Sequence, residues 1–160
     1  MTLKTSTGAT HARLMSVGGA RGSRVVTNDE LCTMIDSTDE WITQRTGIKE
    51  RRWAADGEDA ETLGLEAASK AIERAGLQPS DIDAVLVSTV SHFMQTPALA
   101  CIIAEKLGLP APAAFDLSAA CAGFCYGVGL AESMVRSGSA RHVLVLAGPD
   151  GRFEVIPLAG

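Results

Sequence analysis

Alternation between short apolar runs and helical patterns constrains the fold of this chain more than any other feature. The alternating segments are, in order, residues 60–75, 84–90, 96–107, 113–117, 121–137 and 142–147. Apolar runs that alternate with helices are typical of a parallel sheet covered by helices on both faces. The sequence therefore predicts an α/β fold with a mostly parallel sheet, in which the run at residues 84–90 is a central strand.

Capping residues indicate where some of the helices begin. Thr96, followed by Pro97, predicts an N-cap and first turn for the helix that starts there. Nearer the N-terminus, residues 27–46 predict short helices, the first of them capped by Asn28 or Asp29. We expect these residues to act at the helix ends rather than in the interior.

Length and composition fit a single domain. The 160 residues include 46% hydrophobic and 21% charged residues, which is enough to build a core. Residues 1–10 contain no apolar stretch of the kind found in a secretory signal, and we expect a flexible tail there. Residues 12–18 predict a first strand, and residues 11–160 form one domain without an interdomain linker.

Charge and hydropathy argue against two classes of partner. The net charge is −5 and the pI is near 5.1, whereas nucleic-acid binding relies on clustered Lys and Arg that neutralise phosphates. The longest apolar stretches, such as residues 98–104, fall far short of the roughly 18 residues of a membrane span. We therefore expect neither a nucleic acid nor a membrane as partner, and a cytoplasmic location.

Four cysteines, Cys32, Cys101, Cys121 and Cys125, lie within apolar patterns. Their spacing is neither that of a disulfide scaffold nor that of a zinc site, so we expect reduced thiols and no bound metal. A cysteine in such a pattern is commonly a small buried hydrophobic residue. Cys125 lies four residues after Cys121 and is expected as a buried thiol beneath it.

The position of Cys121 gives that thiol a second interpretation. It follows a predicted strand and a short turn, and it opens a helix whose apolar, glycine-rich composition predicts extensive burial. Free N–H groups and the helix dipole at such a site favour an anion, and an adjacent N–H can face an oxyanion. Cys121 is therefore a candidate nucleophile towards a carbonyl group, although small residues at this junction also suit simple packing.

Three segments resemble a known family. Residues 116–124, DLSAACAGF, look like the nucleophile motif of β-ketoacyl-acyl-carrier-protein synthase III. Residues 24–30, RVVTNDE, and residues 37–48, STDEWITQRTGI, are also similar to it, and the resemblance extends over most of the chain from residue 14 to residue 148. The resemblance implies a thiolase-like fold made of two similar halves, of which this chain matches the first.

The resemblance also implies a reaction. In that family the equivalent of Cys121 accepts an acyl group from acyl-CoA and donates it to the carbanion formed from malonyl-acyl-carrier protein. This decarboxylative condensation starts fatty-acid or polyketide synthesis. Acyl-CoA is a substrate, acyl-carrier protein is a partner, and no organic cofactor or metal is implied.

Substrate-binding residues follow from the same resemblance. Trp41 and Arg45 occupy positions that flank the adenine of CoA, and Ser37 lies near them. From spacing alone, Trp41 fits an ordinary helix anchor and Arg45 a solvated face. The basic run from Lys49 to Arg52 is usually solvated surface, but it could also attract CoA phosphates or an acidic carrier protein.

Residues 92–97, HFMQTP, resemble the family's loop that crosses a dimer interface and helps to close the partner's acyl channel. Thr96 falls where the family can carry a bulkier residue. A small side chain there would leave room for a longer acyl starter, with helix capping as the simpler interpretation. We interpret His92 as structural, and the resemblance implies a homodimer.

The match fails in two respects. The family's histidine and asparagine, which polarise the malonyl thioester, belong to its second half, and His11, His92 and His142 match no such motif. Residues 149–160 are an atypical tail, in which Asp-Gly predicts a tight turn into a short strand. Condensation by this chain alone is therefore not expected. The alternative function is a non-catalytic CoA-binding or assembly half-domain that needs a partner chain.

Overall fold

The computed structural model describes residues 7–148 in full and the backbone of residues 152–159. The strands are β1 (Arg13–Leu14), β2 (Gly18–Arg21), β3 (Arg24–Thr27), β4 (Glu50–Trp53), β5 (Ala84–Ser88), β6 (Ala113–Leu117), β7 (His142–Ala147) and β8 (Arg152–Ala159). The helices are α1 (Asn28–Cys32), α2 (Asp39–Thr46), α3 (Ala60–Ala75), α4 (Leu99–Lys106) and α5 (Gly123–Ser137). Single 3₁₀ turns lie at Pro79–Asp81 and Ala120–Ala122.

One sheet organises the molecule, in the order β1, β8, β7, β5, β6, with β2 also paired to β8. β5 is parallel to both β6 and β7, whereas β8 is antiparallel to β7, β1 and β2. Of the six strands described in this sheet, five share one direction and only β8 opposes them. The mostly parallel sheet is confirmed. The short strand predicted in the tail is also present, but it lies inside the sheet.

Helices cover both faces of this sheet, as predicted. Val85 and Val87 of β5 pack against α3 and α4, whereas Ala84 and Leu86 pack against α5. β7 alternates in the same way, because successive side chains of a strand point to opposite faces. Every residue of β5 is buried, which confirms that it is a central strand and places its C-terminal end among the neighbouring loops.

A second, two-stranded sheet was not predicted. β3 and β4 form an antiparallel hairpin in which Val26 pairs with Arg51. Charged residues occupy three of the four positions of β4 but only the first position of β3, and only Val26 is buried. The pattern therefore lacks the alternation that predicts a strand. The hairpin packs beside α1 and α2, which connect its two strands.

Residues 7–10 differ from the expected flexible tail. The Gly8 N–H donates to the Arg136 carbonyl at 3.2 Å, and a Cβ at Gly8 would lie 2.1 Å from the Val135 carbonyl oxygen. Ala9 and Ala12 pack against the core beneath α5. This segment therefore lies against the end of α5, while residues 1–6 of the predicted tail are outside the described residues.

α4 begins two residues later than predicted. Its N-cap is Ala98, and Thr96 precedes a cis peptide bond to Pro97. The prediction that Thr96 caps this helix is wrong because the cap is supplied from a distance. Both oxygens of the Asp116 carboxylate accept hydrogen bonds from N–H groups of the first turn, from Leu99 at 2.8 Å and from Ala100 at 2.9 Å.

No helix among the described residues has the length and apolar composition of a bilayer span.

Candidate active site

The thiol of Cys121 is exposed at the junction between β6 and α5. β6 ends at Leu117, a 3₁₀ turn covers Ala120–Ala122, and α5 begins at Gly123. The predicted order of strand, turn, cysteine and helix is confirmed, although the α-helix begins two residues after Cys121. The thiol therefore lies just ahead of the first turn of α5, where helical N–H groups lack partners within the helix.

The backbone immediately before Cys121 is strained. Ala120 has φ 45° and is the one non-glycine residue with a positive φ in the described part of the chain. An L residue in this region costs roughly 1–2 kcal/mol, and such a conformation persists only where its surroundings enforce it. Packing around the turn, rather than local preference, therefore presents Cys121.

A close approach between α5 and β5 provides part of that packing. A Cβ added to Gly123 would lie 1.8 Å from the Ser88 Oγ and 2.9 Å from the Ser88 Cβ. A Cβ added to Gly127, one turn later, would lie 3.0 Å from the Val145 Cγ1. Gly123, Gly127, Ala131 and Val135 form the buried stripe of α5. The small residues of this helix therefore let its first turn rest directly on the end of β5.

The same strand that leads to Cys121 also holds both ends of the β5–α4 loop, residues 89–98. The Thr89 N–H donates to the Leu117 carbonyl at 3.3 Å, and Asp116 binds the start of α4. Thr96 is exposed within this loop, and Phe93 exposes 94% of its surface. β6 thus fixes the base of the loop while its tip projects outwards.

Asp116 belongs to the sequence motif, but sequence reasoning assigned it no role. Its role at the start of α4 could have been suspected, because an acidic residue within an apolar β pattern needs a partner. His92 lies in the β5–α4 loop, and its buried Nε2 has no hydrogen-bond partner among the described residues. His142 begins β7, at the end of the sheet opposite Cys121, and its Nδ1 lies 2.9 Å from the Asp81 carbonyl oxygen.

Cys125 is exposed, so the prediction that it is a buried thiol beneath Cys121 is wrong. Tyr126 and Leu130 are also exposed, on the face of α5 away from the sheet. The apolar composition of α5 suggested burial on all sides, but only its small-residue stripe is covered in this chain. All four cysteines are free thiols, and the described residues contain no group of three or more His, Cys, Asp or Glu placed to hold a metal.

The other predicted site residues meet around α2. Ser37 and Trp41 line one groove of about 460 Å³ with Leu31 and Ile35. The Arg45 guanidinium carbon lies 4.7 Å from the centroid of the Trp41 ring, and Trp41 exposes 53% of its surface. The structure thus brings Ser37, Trp41 and Arg45 together, whereas Thr96 belongs to the β5–α4 loop.

The basic run from Lys49 to Arg52 is mostly engaged in holding the hairpin. Arg51 donates to the Thr27 carbonyl at 3.1 Å and to the Asn28 side-chain oxygen. Arg52 donates to the Ser23 carbonyl at 3.3 Å. Sequence reasoning missed Asn28 as a buried residue, because an asparagine at a helix start is ordinarily a cap. Thr27 is the N-cap instead.

Comparison with known proteins identifies relatives of this chain. Residues 115–150 match the family model of 3-oxoacyl-[acyl-carrier-protein] synthase III. The chain is 55% identical over 144 residues to β-ketoacyl-[acyl-carrier-protein] synthase III 1 of Streptomyces avermitilis, covering 90% of this chain and 41% of that protein. The corresponding enzyme of Mycobacteroides abscessus is 56% identical over 140 residues, with 88% and 41% covered.

Solved structures agree with the sequence matches. A priming β-ketosynthase of a polyketide biosynthetic pathway superposes with a TM-score of 0.93 at 39% identity, covering 99% of this chain and 52% of that one. The 3-oxoacyl-[acyl-carrier-protein] synthase III of Aquifex aeolicus gives 0.88 at 31% identity, with 93% and 54% covered. The chain spans less than half the length of the curated relatives named above. In sequence and in fold, it is a thiolase-like relative of β-ketoacyl-acyl-carrier-protein synthase III that matches the N-terminal half of those proteins.

Proposed function

We propose that this chain is the acyl-accepting half of a condensing enzyme, and that Cys121 takes an acyl group from acyl-CoA. The observation that carries this proposal is the exposed thiol in a strained turn directly ahead of α5. The thiolate attacks the thioester carbonyl, and helix N–H groups stabilise the oxyanion. The CoA thiolate leaves, and a new thioester joins the acyl group to Cys121.

Condensation is the second step of the proposal. Loss of carbon dioxide from malonyl-acyl-carrier protein supplies the electron pair that attacks the acyl carbonyl, and the Cys121 thiolate leaves. The groups that polarise the malonyl thioester would come from a second half, as the family resemblance implies. Acyl-carrier protein is therefore a proposed partner of the assembled enzyme. A cytoplasmic setting suits the free thiols.

Trp41, Arg45 and Ser37 form the proposed site for the adenine of CoA. Two groups that sandwich a planar base stand about 7 Å apart, twice the stacking distance between bases. The Trp41 ring and the Arg45 guanidinium are 4.7 Å apart, so Arg45 must move outwards before a base can enter between them. Breaking this exposed cation–π contact costs about 0.5–1 kcal/mol, which a stacked base can offset.

The exposed apolar residues suit a proposed partner chain. Phe93, Met94, Tyr126 and Leu130 are all exposed in this chain, and apolar surface of this kind is typical of interfaces. We propose that a second copy, a missing second half, or both cover these residues. In such an assembly Thr96 would lie near the partner's acyl channel, and its small side chain would admit a longer starter.

Intact mass spectrometry after incubation with acetyl-CoA tests the acyl-accepting role. We expect one acetyl group on the chain, its loss in Cys121→Ala, and its retention in Cys125→Ala, the matched control in the first turn of α5. CoA binding without an adduct would instead favour the non-catalytic half-domain. An adduct on a complemented enzyme that releases no carbon dioxide from malonyl-acyl-carrier protein would indicate a simple acyltransferase.

A further inference from the structure

Asn28 is a polar side chain that is almost completely buried, with 1% of its surface exposed. Its Nδ2 donates to the Asp39 Oδ1 at 2.7 Å, to the Ile48 carbonyl at 2.7 Å and, more weakly, to the Thr43 Oγ1 at 3.3 Å. Its Oδ1 accepts from Arg51. We call these five residues the Asn28 hub. The hub joins the start of α1 to α2, to the turn after α2 and to β4.

α2 has few other means of attachment. Ile42 is its only buried residue, and all the others except the half-buried Thr43 are exposed. One buried apolar side chain does not fix the rotation of an eight-residue helix. Directional hydrogen bonds in a buried network can do so. The orientation of α2 on the hairpin therefore depends on the Asn28 hub.

Helical geometry separates the two functions of α2. Asp39 and Thr43 are four residues apart and share one face, and Trp41 and Arg45 share another by the same spacing. The two pairs are offset by two residues, or about 200° around a helix of 3.6 residues per turn. One face of α2 is held by the hub, and the opposite face presents the aromatic and cationic pair.

We propose that Asn28 is a positioning residue for the nucleotide portion of CoA, acting through α2 on Trp41 and Arg45. This proposal rests on the proposed CoA site. Loss of the hub would let α2 rotate on the hairpin, so the stacking pair would no longer be preorganised. Asn28 lies at the start of α1 rather than in the turn that carries Cys121, so the thiol should not be affected.

Calorimetric titration with CoA and with pantetheine, which lacks the nucleotide, tests the proposal. We expect Asn28→Ala to weaken CoA binding about tenfold, because a factor of ten corresponds to the net contribution of roughly one hydrogen bond. Pantetheine binding and the rate of Cys121 alkylation by iodoacetamide should both remain within about twofold. A merely structural loss of folding would move the alkylation rate as well.

A milder pair of variants keeps the test decisive if Asn28→Ala disturbs folding. Thr43→Val removes one arm of the hub at nearly constant volume, whereas Thr43→Ser retains the hydroxyl. We expect weaker CoA binding in the first and unchanged binding in the second. Equal CoA affinity in the two folded variants would overturn the proposal.

Trp41→Ala separates failure of this inference from failure of the proposed CoA site. If Trp41→Ala weakens CoA binding but Asn28→Ala and Thr43→Val do not, the site is correct and the positioning role is wrong. If the unsubstituted chain binds CoA no better than pantetheine, the nucleotide site itself is refuted, and the positioning role falls with it.

Discussion

At the scale of single residues, the presentation of Cys121 depends on two small neighbours with opposite requirements. Ala120 holds a positive φ that glycine would adopt more easily. Gly123 stands where any side chain would meet Ser88. Ala120 thus adopts a backbone conformation that alanine disfavours, whereas the absence of a side chain at position 123 is essential. Both departures from ordinary sequence choice lie within two residues of the proposed nucleophile.

Gly123→Ala should destabilise the fold and disturb the thiol. The added methyl group must displace Ser88, and overpacking of this kind typically costs about 1–3 kcal/mol. We expect a lower free energy of unfolding in urea and a changed rate of Cys121 alkylation. Ser88→Ala should recover part of the loss, because it removes the Oγ but leaves the Cβ at 2.9 Å.

The control for this pair is Gly129→Ala on the same helix, where an added Cβ meets nothing within 4 Å. Replacing an interior helical glycine there should stabilise the chain by about 0.5–1 kcal/mol. Equal effects of Ala at positions 123 and 129 would show that the contact with Ser88 does not position the turn.

At the scale of elements, the start of α3 makes stability depend on pH. The Asp59 side chain accepts the Thr62 N–H at 2.8 Å as the N-cap. This hydrogen bond holds the pKa of Asp59 below its ordinary value of 3.8. The pKa of Glu58 is lowered by the N–H groups of Ala55 and Ser23. Both carboxylates therefore stabilise the fold in their charged form.

The sign of the effect follows from the lowered pKa of Asp59. Its stabilisation is present in full above pH 3.8 and is lost as the pH falls through the lower pKa of the folded state. Asp59→Asn keeps a good cap without the charge, so at neutral pH it should cost no more than about 0.5 kcal/mol. We expect the variant to lose less stability in acid than the unsubstituted chain does.

Urea unfolding at a series of pH values measures this difference. Asp56→Asn, at an exposed aspartate in the preceding loop, is the matched change of charge, and it leaves the Asp59 cap in place. Glu58 continues to titrate in both variants, so some dependence remains in each. Parallel curves for Asp59→Asn and the unsubstituted chain would contradict the proposed origin.

Elements with a strong local signal could be predicted from the sequence, and elements held by distant partners could not. α3, β6 and β7 begin and end where their patterns and capping glycines place them. α4 begins late because Asp116 supplies its cap from another strand. β3 and β4 were missed because they are stabilised by Arg51 and Asn28, not by an alternating apolar pattern. The strand–turn–helix setting of Cys121 could be predicted because its motif is local, whereas the Asn28 hub spans residues 28 to 51.

At the scale of the whole molecule, β8 joins the N-terminal strands to the parallel core. Within the described residues of this sheet, β1 and β2 pair only with β8, and β8 pairs in turn with β7. Ala20 of β2 belongs to the core that also contains α3. The integrity of that core therefore depends on a strand contributed by the atypical tail.

Ending the chain at Gly148 should abolish cooperative folding. Removal of β8 leaves β7 as an open edge and β1 and β2 without a partner strand, which favours association through the unpaired backbone. We expect a broad thermal transition and increased binding of a hydrophobic dye. A chain with a Gly-Ser segment in place of residues 152–159 should behave like the truncated one, whereas a sharp native transition in either would refute this dependence.

The anchoring of the β5–α4 loop has a consequence for protein engineering. Both fixed points belong to β6, through the Leu117 carbonyl and the Asp116 carboxylate, and neither uses a side chain from the outer part of the loop. Residues 90–97 can therefore be replaced without removing either of the two contacts that fix the ends of the loop. New tips could be grafted there to suit different neighbouring molecules while the scaffold beneath the thiol stays the same.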